Sequence, residues 1–166
     1  MASREAGWKL HALTVCDNAT AFRALLPRTG SLLALDLSKR RIGLAGTDQE
    51  RRLATALTTF ERAGATRDLE RLRQVARERR AVGIVVGLPL NMDGSEGPMA
   101  KNARAEAARL ARALELPALL QDERLTTFAV EDAIAEGRLP RPRKGQPVDH
   151  YAAAVILEDA LRVLQA

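Results

Sequence analysis

The sequence predicts one α/β domain built on a five-stranded mixed sheet with helices on both faces. Three observations predict it. Short apolar runs follow one another from Ser31 with connections of about four residues, the spacing of an antiparallel meander. A later run, VGIVVGL, has no polar face, as expected of a central strand covered on both sides. Amphipathic helical segments then alternate with the later strands, so strands four and five return parallel to strand one. A chain of 166 residues suits a single core.

Residues 1–30 show no clean period, and PRTG at 27–30 punctuates their end, so they read as an extension to a domain over 31–166. Strands one to three are SLLALD, RIGLAGT and RLATALT. In TRDLERLRQVARERR, Leu69, Leu72, Val75 and Ala76 share one helical face. VGIVVGL is strand four, and PLNMDGSEGP is a loop by composition. Pro98 suits a helix start, with Met99, Ala103, Ala107, Leu110 and Leu114 facing inward. PALLQ is strand five and runs into Asp122, Glu123 and Arg124. Thr127 is placed to cap a short helix that ends at Gly137. Residues 137–148 carry four basic residues and no acid, a cationic loop. DHYAAAVILEDALRVL closes the chain as a helix with Ala152, Ala153, Ile156, Ala160 and Leu164 inward and Asp149 on the same face.

Bulk properties narrow the function. No apolar run nears the ~18 residues of a membrane span, and MASREAGWKLHAL lacks a signal-peptide core, so a cytoplasmic protein without membrane partners is expected. The single cysteine, Cys16, excludes an intramolecular disulfide and a closed thiolate zinc site, and reads as a buried thiol. A net charge of +5 and pI ≈ 10.1 point to a polyanionic partner. With aromatics at 3%, recognition is expected through phosphates and shape, not base stacking.

Parallel crossover strands deliver their carboxyl ends to one edge, where ligands bind. Asp36 ends strand one, Asp122 and Glu123 end strand five, and Asp149 opens the last helix. Each has a plainer reading: a turn former, a surface ion pair with Arg124, an N-cap. Together they form a candidate acidic pocket. Clustered carboxylates repel unless a cation neutralises them, and hard oxygen donors without a His or Cys cluster favour Mg²⁺ or Mn²⁺ over zinc. Such ions support hydrolysis of phosphodiesters.

LALDLSKRRIGLA, IVVGLPLNMDGSEGP, QDERLTT and VDHYAAAVIL resemble, in order, the four signature blocks of the YqgF (RuvX) family. The resemblance covers roughly residues 31–165. It implies an RNase H-like fold and a nuclease, since the family is described as Holliday-junction-resolvase-like and as processing pre-16S rRNA. It also implies that Asp36, Glu123 or Asp122, and Asp149 are the acidic catalytic residues. Glu123 is preferred as metal ligand because strand five lies two positions from strand one and the longer side chain reaches further.

The family's first block has glycine where this chain has Ser38, and a small hydroxyl residue where it has Lys39. A rearranged turn is expected there if positive φ is required. Lys39, Arg40, Arg41, Asn91, Arg124, Arg138, Arg141, Arg143 and Lys144 are candidate nucleic-acid contacts, with an Asx turn as the plainer reading for Asn91. His150 reads as structural rather than catalytic. The expected partners are structured RNA such as pre-16S rRNA, branched DNA, or both, and paired cuts in a four-way junction would call for a homodimer. The alternative is a binding module of the same fold with no catalysis. A nucleotide hydrolase is disfavoured, because the chain lacks a GxxxxGK[ST] phosphate loop.

Overall fold

A computed structural model describes residues 14–166. Its centre is a six-stranded sheet of order β1-β6-β5-β2-β3-β4. The strands are β1 (Val15–Cys16), β2 (Ser31–Leu37), β3 (Arg41–Thr47), β4 (Ala54–Glu61), β5 (Ala81–Leu88) and β6 (Ala118–Asp122). β2, β3 and β4 form the antiparallel meander, while β5 pairs parallel with β2 and β6 pairs parallel with β5. The five expected strands are thus present in the expected directions.

The sixth strand comes from the N-terminal segment. Val15 and Cys16 pair parallel with Ala118 and Leu119 at the sheet edge. Helix α1 (Ala19–Leu25) follows, opened by Asn18, whose Oδ1 accepts from Ala21 N at 2.8 Å. Phe22 of α1 is fully buried and Cys16 is a buried free thiol. A two-residue strand and a seven-residue helix are too short to display a period, which is why the sequence showed none there. Residues 1–13 of the proposed extension lie outside the described residues.

The other helices are α2 (Ala65–Glu78), α3 (Pro98–Leu114), α4 (Thr126–Ala135) and α5 (Asp149–Gln165). Side chains alternate across β2, and the sheet has two cores. Leu33 and Leu35 pack with Leu72 of α2 and Ala107 and Leu110 of α3. Leu32 and Ala34 pack on the opposite face with Phe22 and with Ala153, Ile156 and Leu157 of α5. By the same alternation Asp36 projects toward α5.

Two helix details differ from expectation. Met99 is 65% exposed, and Ala100, fully buried, takes the inward position one residue on. Thr127 does not cap α4: Leu125 occupies the N-cap, with no side-chain bond, and Thr126 begins the helix. Among the described residues no helix is long and apolar enough to cross a membrane.

Candidate active site

Asp36 lies one residue before the end of β2, directly opposite Gly43 of β3. On its other side the β2–β5 register, with Leu35 beside Val86, brings Gly87 alongside. Both neighbours are glycines, and both are needed. A β-carbon on Gly43 would collide with the Asp149 carbonyl, so the bare strand lets the first turn of α5 lie directly on the sheet. A β-carbon on Gly87 would overlap Glu123 Oε2 and come within 2.7 Å of Ile156 Cδ1. Glu123 therefore extends its carboxylate from the end of β6 across β5 toward Asp36. Its backbone is anchored as N–H donates to Leu88 O at 3.2 Å.

The electrostatics show the convergence. Burial, then the negative charge of Asp149, raises Asp36 from 3.8 to about 6. Burial, then the charges of Asp36 and Asp122, raises Glu123 from 4.5 to about 7. Among the described residues neither carboxylate has a cationic partner. Asp149 does: its Oδ2 accepts from Arg41 Nε at 2.9 Å. Asp149 is the first residue of α5 and not its N-cap, which is Val148.

Asp122 and Glu123 have different surroundings. Asp122 accepts from Arg124 N at 3.0 Å, Nε at 2.9 Å and Nη2 at 2.7 Å. Burial opposes its ionisation, but these bonds outweigh that and hold Asp122 below the usual carboxylate range. It is therefore neutralised locally, whereas Glu123 remains an unpaired donor.

Among the described residues no three His, Cys, Asp or Glu side chains form a ready-made metal cage. The donor chemistry nevertheless fits a hard cation. Asp36 and Glu123 are two like-charged oxygen donors held against their ionisation, a condition that a divalent ion relieves. Asp149 would join them on exchanging its bond to Arg41.

The turn from β2 to β3 needs no glycine. Among the described residues the non-glycine positions of positive φ are Arg51, Arg80 and Glu115, so Ser38, Lys39 and Arg40 are unstrained. Ser38 Oγ accepts from Arg41 N at 3.1 Å and donates to Arg41 O at 3.0 Å, closing the turn. Lys39 and Arg40 remain exposed at its tip.

The other candidate contacts divide. Asn91 donates from Nδ2 to Ser95 Oγ at 3.0 Å, and Arg124 Nη1 donates to Met92 O at 3.2 Å, so the 91–95 loop is tied to the end of β6. Arg138 is paired with Glu136 at 2.7 Å. Arg141, Arg143 and Lys144 are exposed on the segment leading into Asp149. His150 N–H donates to Thr59 Oγ1 at 3.0 Å, and that hydroxyl meets Nδ1 at 2.6 Å. If the hydroxyl donates to Nδ1, the ring is neutral and His150 pins α5 to β4, consistent with burial lowering its pKa against the pull of Asp149.

Residues 30–163 match the model of a family described as RuvX: Holliday junction resolvase. The chain belongs to the RuvX family. Curated relatives agree with this membership. A protein of Cereibacter sphaeroides named "Putative pre-16S rRNA nuclease" is 48% identical over 145 residues, covering 87% of this chain and 91% of the relative. A protein of the same name from Paracoccus denitrificans is 44% identical over 147 residues, covering 89% and 93%. Among solved structures, T. thermophilus RuvC in complex with a Holliday junction substrate aligns with a TM-score of 0.55 at 17% identity, over 82% of this chain and 96% of that one. This RuvX-family chain thus has the RNase H-like fold of RuvC.

Sequence reasoning missed Gly43 and Gly87 as site residues. Their signal was present, since a glycine inside a strand often marks a close approach of another group.

Proposed function

We propose that this chain is a divalent-metal-dependent endonuclease acting on structured nucleic acid. One observation carries the reading: two half-buried, unpaired carboxylates, Asp36 and Glu123, converge at the carboxyl edge of the sheet with Asp149 beside them. Exposed cations lie at the β2–β3 turn, Lys39 and Arg40, and on the segment that leads into Asp149, Arg141, Arg143 and Lys144. Such a surface attracts a phosphate backbone, and the carboxylates must then avoid repelling it.

Asp36, Glu123 and Asp149 would hold Mg²⁺ or Mn²⁺. When bound, such ions supply an activated water and stabilise the leaving oxygen of the phosphodiester. The chain's own contributions are positional. β2 and β6 fix the two carboxylates, Gly87 keeps the space between them open, and Arg41 holds Asp149 until it is needed. The family description and the names of the relatives support two substrates, the ends of 16S rRNA precursors and four-way DNA junctions.

The test compares cleavage of both substrates by the wild type, Asp36→Asn and Asp149→Asn in Mg²⁺ and in Mn²⁺. The proposal expects cleavage of at least one substrate by the wild type and its loss in both variants. Undiminished cleavage in the variants contradicts the site. Binding of both substrates without cleavage in either metal assigns the chain to the non-catalytic class instead.

A further inference from the structure

The end of the sheet opposite the carboxylates carries a feature that hydrolysis at Asp36 does not use. β5 runs eight residues from Ala81 at that end to Leu88 at the carboxylate end. At ~3.3 Å per residue about 23 Å separates the two. The C-terminal turns of α2 and α3 meet there around an open cleft of about 790 Å³. Arg73, Arg77, Arg80 and Arg112 line it with a single acid, Glu115. All four arginines are exposed, and none is in an ion pair among the described residues.

Helix chemistry accounts for part of this charge. A cation in the last turn offsets the negative end of the helix dipole, and Arg77 and Arg112 occupy those turns. Arg73 Nη2 donates to Ala113 O at 3.1 Å, bridging the two helices. Arg80 belongs to neither helix. It lies beyond α2 in left-handed backbone, φ 51°, and its carbonyl accepts from Ser31 N at 3.3 Å. Two helix ends present about one negative charge in total, so four guanidiniums against one acid leave a surplus of roughly two positive charges. Ala76, Ala113 and Leu116 also line the cleft. The cleft is open, and its charge is carried by exposed arginine side chains rather than by a closed cage of donors.

We propose that this cleft is a second phosphate-binding surface, gripping the backbone of one helical arm of a structured nucleic acid whose scissile part lies at the carboxylates. The proposal rests on the nuclease reading for the identity of that partner. The two surfaces stand about 23 Å apart at opposite ends of the sheet, so the substrate is one whose backbone reaches both, as the arms of a folded or branched nucleic acid do.

Fluorescence anisotropy with a four-way DNA junction in EDTA, where metal-dependent cleavage is suppressed, tests it. Arg77→Gln/Arg112→Gln should weaken binding about tenfold or more at ~100 mM salt and reduce the slope of log K against log salt by about 2. Arg77→Lys/Arg112→Lys should restore most of the affinity, showing that charge and not folding was lost. Arg28→Gln/Arg52→Gln, exposed arginines outside the cleft, should change it less than about twofold.

Equal weakening in the cleft and control pairs, or no weakening in either, overturns the proposal. So does one-to-one calorimetric binding of tripolyphosphate that the cleft pair abolishes while junction affinity stays unchanged. A wild type that binds neither junction nor precursor RNA brings down the nuclease reading as well. Wild-type binding and cleavage that ignore the cleft arginines sink the cleft alone.

Discussion

Replacing Asp36 by asparagine should stabilise the metal-free protein while abolishing its activity. The folded state holds the Asp36 carboxyl at about 6, against an ordinary value of 3.8. Between those values the folded state binds more protons than the unfolded chain, so wild-type stability falls as pH rises through that window. At 1.36 kcal/mol per pH unit the difference amounts to about 3 kcal/mol above pH 7, reduced to ~2 kcal/mol for partial solvent exposure. Removing the Asp36 charge also relieves Glu123, whose raised value of about 7 includes that repulsion. Asparagine keeps the shape and loses the charge.

Urea unfolding followed by circular dichroism at pH 4 and pH 8 measures the effect. With a urea dependence of ~1–3 kcal/mol per molar, the variant's midpoint at pH 8 should lie about 1 M above the wild type's. At pH 4 the two should nearly coincide, because both carboxyls are then largely protonated in the folded protein. Added Mg²⁺ should raise the wild-type midpoint and leave the variant's almost unmoved. A variant less stable than wild type at pH 8, or a difference that does not depend on pH, would show that Asp36 is not a half-buried donor crowded by like charge.

Four further outcomes follow from the same geometry. Gly87→Ala places a β-carbon against Glu123 and Ile156, and should lose ~1–3 kcal/mol in urea unfolding and at least tenfold in cleavage rate; unchanged cleavage would detach Glu123 from the reaction. Arg41→Gln removes the partner of Asp149, and should lower metal-free stability by ~1 kcal/mol at pH 7 and enlarge the thermal stabilisation by Mg²⁺; an unchanged metal response would count against Asp149 as a ligand. His150→Ala should lose about 1–2 kcal/mol of stability with the pH profile of kcat unaltered; loss of one limb of that profile would make the ring catalytic. Ser38→Ala deletes the hydroxyl that closes the β2–β3 turn, and should lose about 1 kcal/mol by calorimetry; no loss would show that Ser38 N donating to Arg41 O suffices.

Much of this architecture was legible in the text. Period-two alternation marked β4, the unbroken apolar run marked β5, and the spacing of Leu69, Leu72 and Val75 marked α2. Asp36, Glu123 and Asp149 could be placed at one edge because parallel crossovers bring strand ends together. What the text hid depends on contacts between distant segments. Nothing local in Arg41 says that it pairs with a residue 108 positions away. The difference in surroundings between Asp122 and Glu123 comes from Arg124 folding back onto its neighbour but one. β1 and α1 are held by pairing and burial with little sequence pattern of their own, and the departure from the family's glycine at Ser38 needed the turn's dihedral angles to interpret.

The most direct measurement is diffraction at the manganese edge from crystals soaked in Mn²⁺, in wild type and in Asp36→Asn. The account predicts anomalous density within coordination distance of Asp36 and Glu123, with Asp149 turned from Arg41 toward it, and none in the variant. Manganese bound elsewhere, or three carboxylates unchanged around empty density at saturating Mn²⁺, would contradict it.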